Sequence, residues 1–248
     1  MKKIIKALQI FSEKGAFKQM MGEKKFSFAS YKINRTLKGK IDTLNTIIDA
    51  GANQGQFALM ASVFFPEAKI YSYEPLPDIY PVLKKNTGKF KSQISTFNIA
   101  LGDKDDNIRF YKNNYSHVSS ALPIDDKNNH PNYSQSAANE ITVPLSTIDT
   151  IANTVEIIRP CLLKLDVQGF EKEVINGAKN TLGLIDYILL EMPFYKLYQN
   201  QPLFNELNTL LSEKGFQLFI PLDVNYGNNN DIIEIDFLYK RKGITNIV

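Results

Sequence analysis

At 248 residues, with 44% hydrophobic and 22% charged side chains, the chain lies in the ordinary globular range and is long enough for one α/β domain with a short extension. No apolar run approaches the roughly 20 residues needed to cross a bilayer, and the single Cys161 excludes an internal disulfide framework and a multi-cysteine zinc site, so a reducing, cytoplasmic setting is expected. The net charge of +3 hides an asymmetry, because residues 1–40 carry 11 Lys/Arg against 2 Asp/Glu while the rest carry 18 against 24.

Residues 1–45 read as a basic, partly helical N-terminal extension, and residues 46–248 as a domain with a polar insertion near 112–140. In the extension Ile4, Leu8 and Phe11 recur at helical spacing among Lys2, Lys3, Lys6 and Lys14. The pattern suits a helix docked on the domain, or one resting peripherally on anionic lipid headgroups. Charges interrupt the apolar stretch at Lys6, Glu13 and Lys14, and no secretion signal is read. Nucleic acid is not an expected partner, since the bulk of the chain is acidic and carries no recognised binding module.

The domain opens on Thr46-Ile47-Ile48-Asp49-Ala50, a buried-strand run that breaks at Gly51-Ala52-Asn53-Gln54-Gly55 and continues as a helix near 55–65. Glycines at such a turn let the backbone bend sharply and a ligand approach the main chain. A dinucleotide fingerprint would need glycine at Asn53 and Gln56. Asp-x-Gly-x-x-x-Gly instead resembles the first motif of methyltransferases that use S-adenosylmethionine (SAM). A second strand near 69–74 ends in Glu74, at the distance where an acid accepts hydrogen bonds from ribose hydroxyls, and Pro75 stops it. Further strands are expected near 93–101, 160–167, 184–191, 216–220 and 232–240, the final two as a closing antiparallel pair. Helices are expected near 77–87, 146–152, 169–180 and 202–214. Alternating strands and helices predict a parallel sheet covered on both faces. Lys112 to Glu140, rich in Asn, Ser, Asp and Tyr, reads as a surface insertion that holds both histidines, His117 and His130, and is long enough to serve as a substrate lid.

Ile48 to Gly55, Tyr73-Glu74-Pro75, Ala100-Leu101-Gly102-Asp103, Leu163 to Glu171 and Leu190-Glu191 together resemble the signatures of the FkbM family of SAM-dependent methyltransferases, in that family's order. Lys164-Leu165-Asp166-Val167-Gln168-Gly169-Phe170-Glu171 is the most specific piece. The resemblance runs from about Thr46 to about Lys242. It implies a class I methyltransferase fold, a Rossmann-like doubly wound α/β sheet of seven strands with the last antiparallel. It also implies O-methylation of a hydroxyl on a sugar, glycan precursor or related natural product. Gln168 stands where many relatives carry Glu, so an acid there cannot be essential in this chain.

On this reading Asp49 orients the glycine loop or meets the SAM amino group, Gly51, Asn53 and Gly55 line the methionine end, and Glu74 takes the ribose. Adenine is expected near Asn98, Ala100, Gly102 and Asp103. An alkyl hydroxyl needs its proton removed as it attacks, and Asp166, at the end of the fourth strand beside the switch point, is the first candidate base. It can also cap the following helix or orient the cofactor. Lys164 lies two residues earlier on the same strand face and needs a buried partner among Asp49, Asp166 and Glu191, or holds an acceptor oxygen. Glu191 ends the fifth strand on the same rim, as an acceptor ligand or second carboxylate. His117 is the alternative base, because an imidazole titrates near neutral pH. No ligand pair has a diagnostic metal spacing, and no metal is assigned. The rival readings are a nicotinamide-dependent oxidoreductase on a similar sheet and a non-catalytic binding module that keeps the fold.

Overall fold

Ser27 caps the first described helix, its side chain accepting the Ser30 N–H at 3.2 Å, and α1 (Phe28–Lys38) turns Tyr31, Asn34 and Leu37 inward at three-residue spacing. The computed structural model describes residues 27–91, 93–125, 139–227 and 230–244; the basic pattern around Ile4 to Phe11, and His130, lie outside them. Among the described residues no helix is long and apolar enough to cross a membrane.

The chain continues through β1 (Thr46–Ala50), α2 (Gln56–Phe64), β2 (Lys69–Tyr73), α3 (Tyr80–Thr87), β3 (Ile94–Phe97), β4 (Ala100–Gly102), β5 (Asp106–Lys112) and β6 (Asn139–Thr147). It ends with α4 (Ile148–Ile151), β7 (Cys161–Leu165), α5 (Glu171–Asn176), β8 (Tyr187–Pro193), α6 (Phe204–Glu213), β9 (Phe216–Tyr226) and β10 (Ile232–Arg241). The main sheet has seven strands in the order β3-β2-β1-β7-β8-β10-β9, all parallel except β10, which runs against both its neighbours. This is the expected doubly wound class I methyltransferase arrangement. All five residues of β1 and of β7 are buried, as suits central strands covered on both faces. Tyr31 and Leu37 of α1 pack with α2 on one face, their aromatic contact being Tyr31 to Phe64 at 5.8 Å between ring centroids. Val174, Ile175, Leu207 and Leu211 of α5 and α6 cover the other.

Two expectations are corrected here. The run 93–101 is not one strand: the Asn98 amide donates to the Glu74 and Pro75 carbonyls at 2.8 and 3.1 Å, which folds the chain over the end of β2. Ala100–Gly102 then joins a second sheet of order β4-β6-β5. No strand is expected between 101 and 160, yet β5 and β6 flank the polar insertion and pair antiparallel from Asp106 opposite Leu145 to Lys112 opposite Asn139. Phe110, Val143 and Leu145 turn into a small core of their own, while polar residues on the outer faces conceal the alternation.

Candidate active site

The site is built where β1 and β7 lie side by side after the chain has wound outward through β2 and β3, the switch point at which open α/β sheets hold ligands. Gly51, Asn53 and Gly55 adopt φ of 74°, 47° and 91°, so the turn is left-handed at three of five positions. Asparagine tolerates this conformation better than most side chains. At Gly51 nothing larger than glycine fits, because a Cβ would stand 1.9 Å from the Asp166 carbonyl oxygen. The Gly51 and Ala52 N–H groups donate to the Tyr73 carbonyl at 3.1 and 2.9 Å, which ties the turn to β2.

Glu74 closes the turn from the other side. Its Oε2 accepts the Asn53 N–H at 2.8 Å and its Oε1 accepts the Leu76 N–H at 2.9 Å. The side chain is buried, and burial pushes its carboxyl up to about 7 against the opposing pull of those two N–H groups. Each oxygen retains a second lone pair for a ligand.

Lys164 sits at the centre. Its ammonium is 3.1 Å from Asp49 Oδ1 and 3.4 Å from Asp166 Oδ2, and it donates to the Gly51 carbonyl at 3.0 Å. Burial works against its charge, but Asp49 and Asp166 outweigh burial and hold the ammonium above its ordinary range. Asp49 is wholly buried and also accepts the Ser72 hydroxyl at 3.2 Å. It therefore holds the loop through Lys164.

Beyond β7 the turn places Gln168 at φ 55°, with its Nε2 donating to Asp166 Oδ1 at 2.9 Å and to Glu191 Oε2 at 3.3 Å. The Tyr198 hydroxyl lies 2.8 Å from Gln168 Oε1 and 3.1 Å from the Val118 carbonyl. Gln168 thus bridges two carboxylates while its other end is held. Glu191 is raised well above the usual carboxylate range by burial first, then by Glu234, Asp166, Asp236 and Glu171. Glu171 Oε1 accepts the Val167 and Gly169 N–H groups at 3.3 and 3.2 Å, and burial raises it to about 7.

A cavity of about 490 Å³ joins these groups, within the size range of small-molecule sites. One end is lined by Gly51 to Asn53, Glu74 to Leu76 and Ile99 to Leu101; the other reaches Asp166, Gln168, Glu191, Glu234 and Asp236. The segment Ser116 to Ser119 borders it and is anchored, since Asn53 Nδ2 donates to Ser116 Oγ at 3.1 Å and Ser120 Oγ donates to the Gln168 carbonyl at 2.6 Å. His117 lines the cavity from this segment with an exposed side chain.

Of the residues singled out from the sequence, Gly51, Asn53, Glu74, Ala100, His117, Lys164, Asp166 and Glu191 line the cavity, and Asp49 stands directly behind it. Four do not line it. Gly55 begins α2, where a Cβ would press on Leu83 at 2.9 Å, and Asn98 is spent on the Glu74 and Pro75 carbonyls. Gly102 packs in the second sheet where a Cβ would meet Leu145 and Phe170, and Asp103 is exposed. Sequence reasoning does not reach the bridging role of Gln168, nor Tyr198, Glu234 and Asp236. For the last two a signal exists, since Glu234 and Asp236 alternate along a strand and so share a face.

A family profile described as the methyltransferase FkbM domain matches residues 49–218. The hexuronic acid methyltransferase AglP of Haloferax volcanii is 23% identical over 168 residues, and the match spans 64% of this chain and 64% of AglP, just under two thirds of that relative. The 2-O-methyltransferase NoeI of Sinorhizobium fredii is 24% identical over 180 residues, 70% of this chain and 74% of its own. Methyltransferase 1 of Beauveria bassiana is 27% identical over 186 residues, with coverage of 70% and 73%. Among solved structures, the magnesium protoporphyrin IX methyltransferase of Synechocystis PCC 6803 with bound SAM aligns with a TM-score of 0.47 at 8% identity over 97% of both chains.

Proposed function

The chain belongs to the FkbM methyltransferase domain family, and from that premise we propose that it is a SAM-dependent O-methyltransferase acting on a hydroxyl of a sugar, glycan precursor or related natural product. The observation that carries the reading is the buried Glu74 carboxylate locked onto the left-handed glycine turn at one end of a cavity whose other end holds the Asp166–Gln168–Glu191 bridge. These residues fit the cofactor: an acceptor-only carboxylate suits two vicinal ribose hydroxyls, and the turn offers bare backbone to the amino-acid end. When bound, SAM supplies a methyl group already activated by its sulfonium.

The chain's own residues then do two things. Glu74 and the backbone of Gly51 to Asn53 fix the cofactor's position, and placement of an attacking oxygen in line is a large part of the rate. Asp166 and Glu191 take the acceptor's proton and hold its hydroxyl. Asp166 has nearly half of its side chain open to the cavity and is steadied from behind by Lys164 and Gln168. Glu191 is raised by burial first and then by its acidic neighbours, which makes its carboxylate a stronger proton acceptor than an ordinary one. The resemblance to the 2-O-methyltransferase NoeI supports a hydroxyl acceptor, and that to the hexuronic acid methyltransferase AglP supports a sugar. The same reading keeps the protein in a reducing compartment, with its basic leader available to anionic lipid headgroups.

Isothermal titration with S-adenosylhomocysteine (SAH) tests the cofactor end. Micromolar binding, weakened roughly tenfold to a hundredfold in Glu74→Ala by loss of a charged hydrogen-bond acceptor, is expected, with no heat from NAD. An unchanged affinity in the variant, or NAD binding in place of SAH, contradicts the proposal.

A further inference from the structure

The acceptor end of the cavity is acidic to a degree that proton removal alone does not require. Because β10 runs antiparallel, its beginning reaches the edge of the sheet where the parallel strands end, and it brings Glu234 and Asp236 beside Asp166 and Glu191. Asp236 is paired directly with Glu191 across the β8–β10 ladder, where like charges oppose folding. The next residue along the same row is another acid, Asp223 on β9. The fold neutralises that outer member, since Lys32 of α1 lies 2.5 Å from Asp223. Among the described residues no lysine or arginine forms such a pair with Glu191, Glu234 or Asp236. Among the described residues Lys164 is the one lysine or arginine on the cavity wall, and it is engaged by Asp49, the Gly51 carbonyl and Asp166. Glu234 is held in place by the Asn225 amide, which donates to its Oε1 at 2.6 Å.

We infer that the acceptor carries a protonated amine, as an amino sugar or aminated glycan precursor does, and that Glu234 and Asp236 receive it. The inference rests on the methyltransferase reading and narrows its substrate class. An anionic acceptor such as a uronic acid would meet Asp166, Glu191, Glu234 and Asp236 with no free cation to balance it, and like charges set against each other disfavour binding. An organic cation suits the wall better than a metal ion, because among the described residues no three carboxylates, histidines or cysteines converge as ligands. Burial, with Asp166 and Glu234, raises Asp236 to about 7, strain that a bound ammonium relieves. Glu234 and Asp236 also lie beyond residues 49–218, so the FkbM profile does not account for them.

The test compares glucosamine, glucose and glucuronate at matched ionic strength and pH 7.5, with and without saturating SAH, by saturation-transfer NMR. Glucosamine is expected to bind at least tenfold more tightly than glucuronate, with glucose between. The Glu234→Gln/Asp236→Asn variant should flatten that order while its SAH affinity stays within about twofold. If the double variant loses SAH binding, Glu234→Gln alone serves, and it should reduce the preference. Equal binding of the three sugars, binding by none, preference for glucuronate, or a preference that survives the substitutions overturns the inference. Loss of SAH binding by the wild type would instead count against the cofactor assignment, and the sugar order measured without SAH still decides this one.

Discussion

Gly51 carries the most stringent geometric demand in the site. Its φ of 74° and the 1.9 Å approach of the Asp166 carbonyl to any added Cβ mean that Gly51→Ala must displace backbone rather than a side chain. The expected cost is about 3 kcal/mol or more in urea unfolding, with loss of SAH binding. Gly88→Ala is the control: nothing lies within 4 Å of its Cβ position, and its φ of −57° is open to alanine, so it should change stability by less than about 1 kcal/mol. A small effect at Gly51 would contradict the close packing of the two strand ends. The residues legible in the sequence, Asp49, Gly51 and Glu74, owe their roles to local chain geometry: a strand, a turn and a second strand at fixed separation. Gln168 and Asp236 were not legible in the same way. The first acts through a carboxylate 23 positions away, and the second through its register opposite Glu191.

At the scale of elements, β1 and β7 are joined by a buried charge pair as well as by their ladder. Removing the lysine leaves the buried Asp49 carboxyl without its ion-pair partner, so Lys164→Met should cost about 3–5 kcal/mol, whereas Asp49→Asn in the same background should restore a large part of it. Additive losses in that double-mutant cycle would contradict the pairing. The main sheet was readable from alternating apolar runs because its central strands are covered on both faces. The second sheet was not, because β5 and β6 bury one face only and their outward Asn, Asp, Arg and Glu residues resemble loop composition. The Asn98 contacts that divide β3 from β4 are tertiary and leave no periodic trace.

For the whole molecule, the raised carboxyls set a direction for stability against pH. Glu74, Glu171 and Asp236 are each pushed to about 7 from ordinary values of 4.5, 4.5 and 3.8. Between those limits the folded chain holds protons that the unfolded chain has released, so their contribution is greatest at low pH and is lost as pH rises through about 7. Asp105 and Asp149 are shifted the other way by hydrogen bonds and weaken the fold only at more acidic pH. The Tm of the ligand-free protein should therefore rise by a few degrees from pH 8 to pH 6, and a flat or falling profile in scanning calorimetry would contradict this. Residues 1–26 hold seven lysines and two glutamates. Their deletion, which spares α1, should weaken sedimentation with anionic vesicles, and unchanged sedimentation removes the membrane role.

The most direct test of the site is a crystal structure grown with SAH. The ribose hydroxyls are expected on Glu74, the amino-acid end over Gly51 to Asn53, and the sulfur directed toward Asp166 and Glu191. SAH seated elsewhere, or bound with its ribose out of reach of Glu74, would contradict this placement.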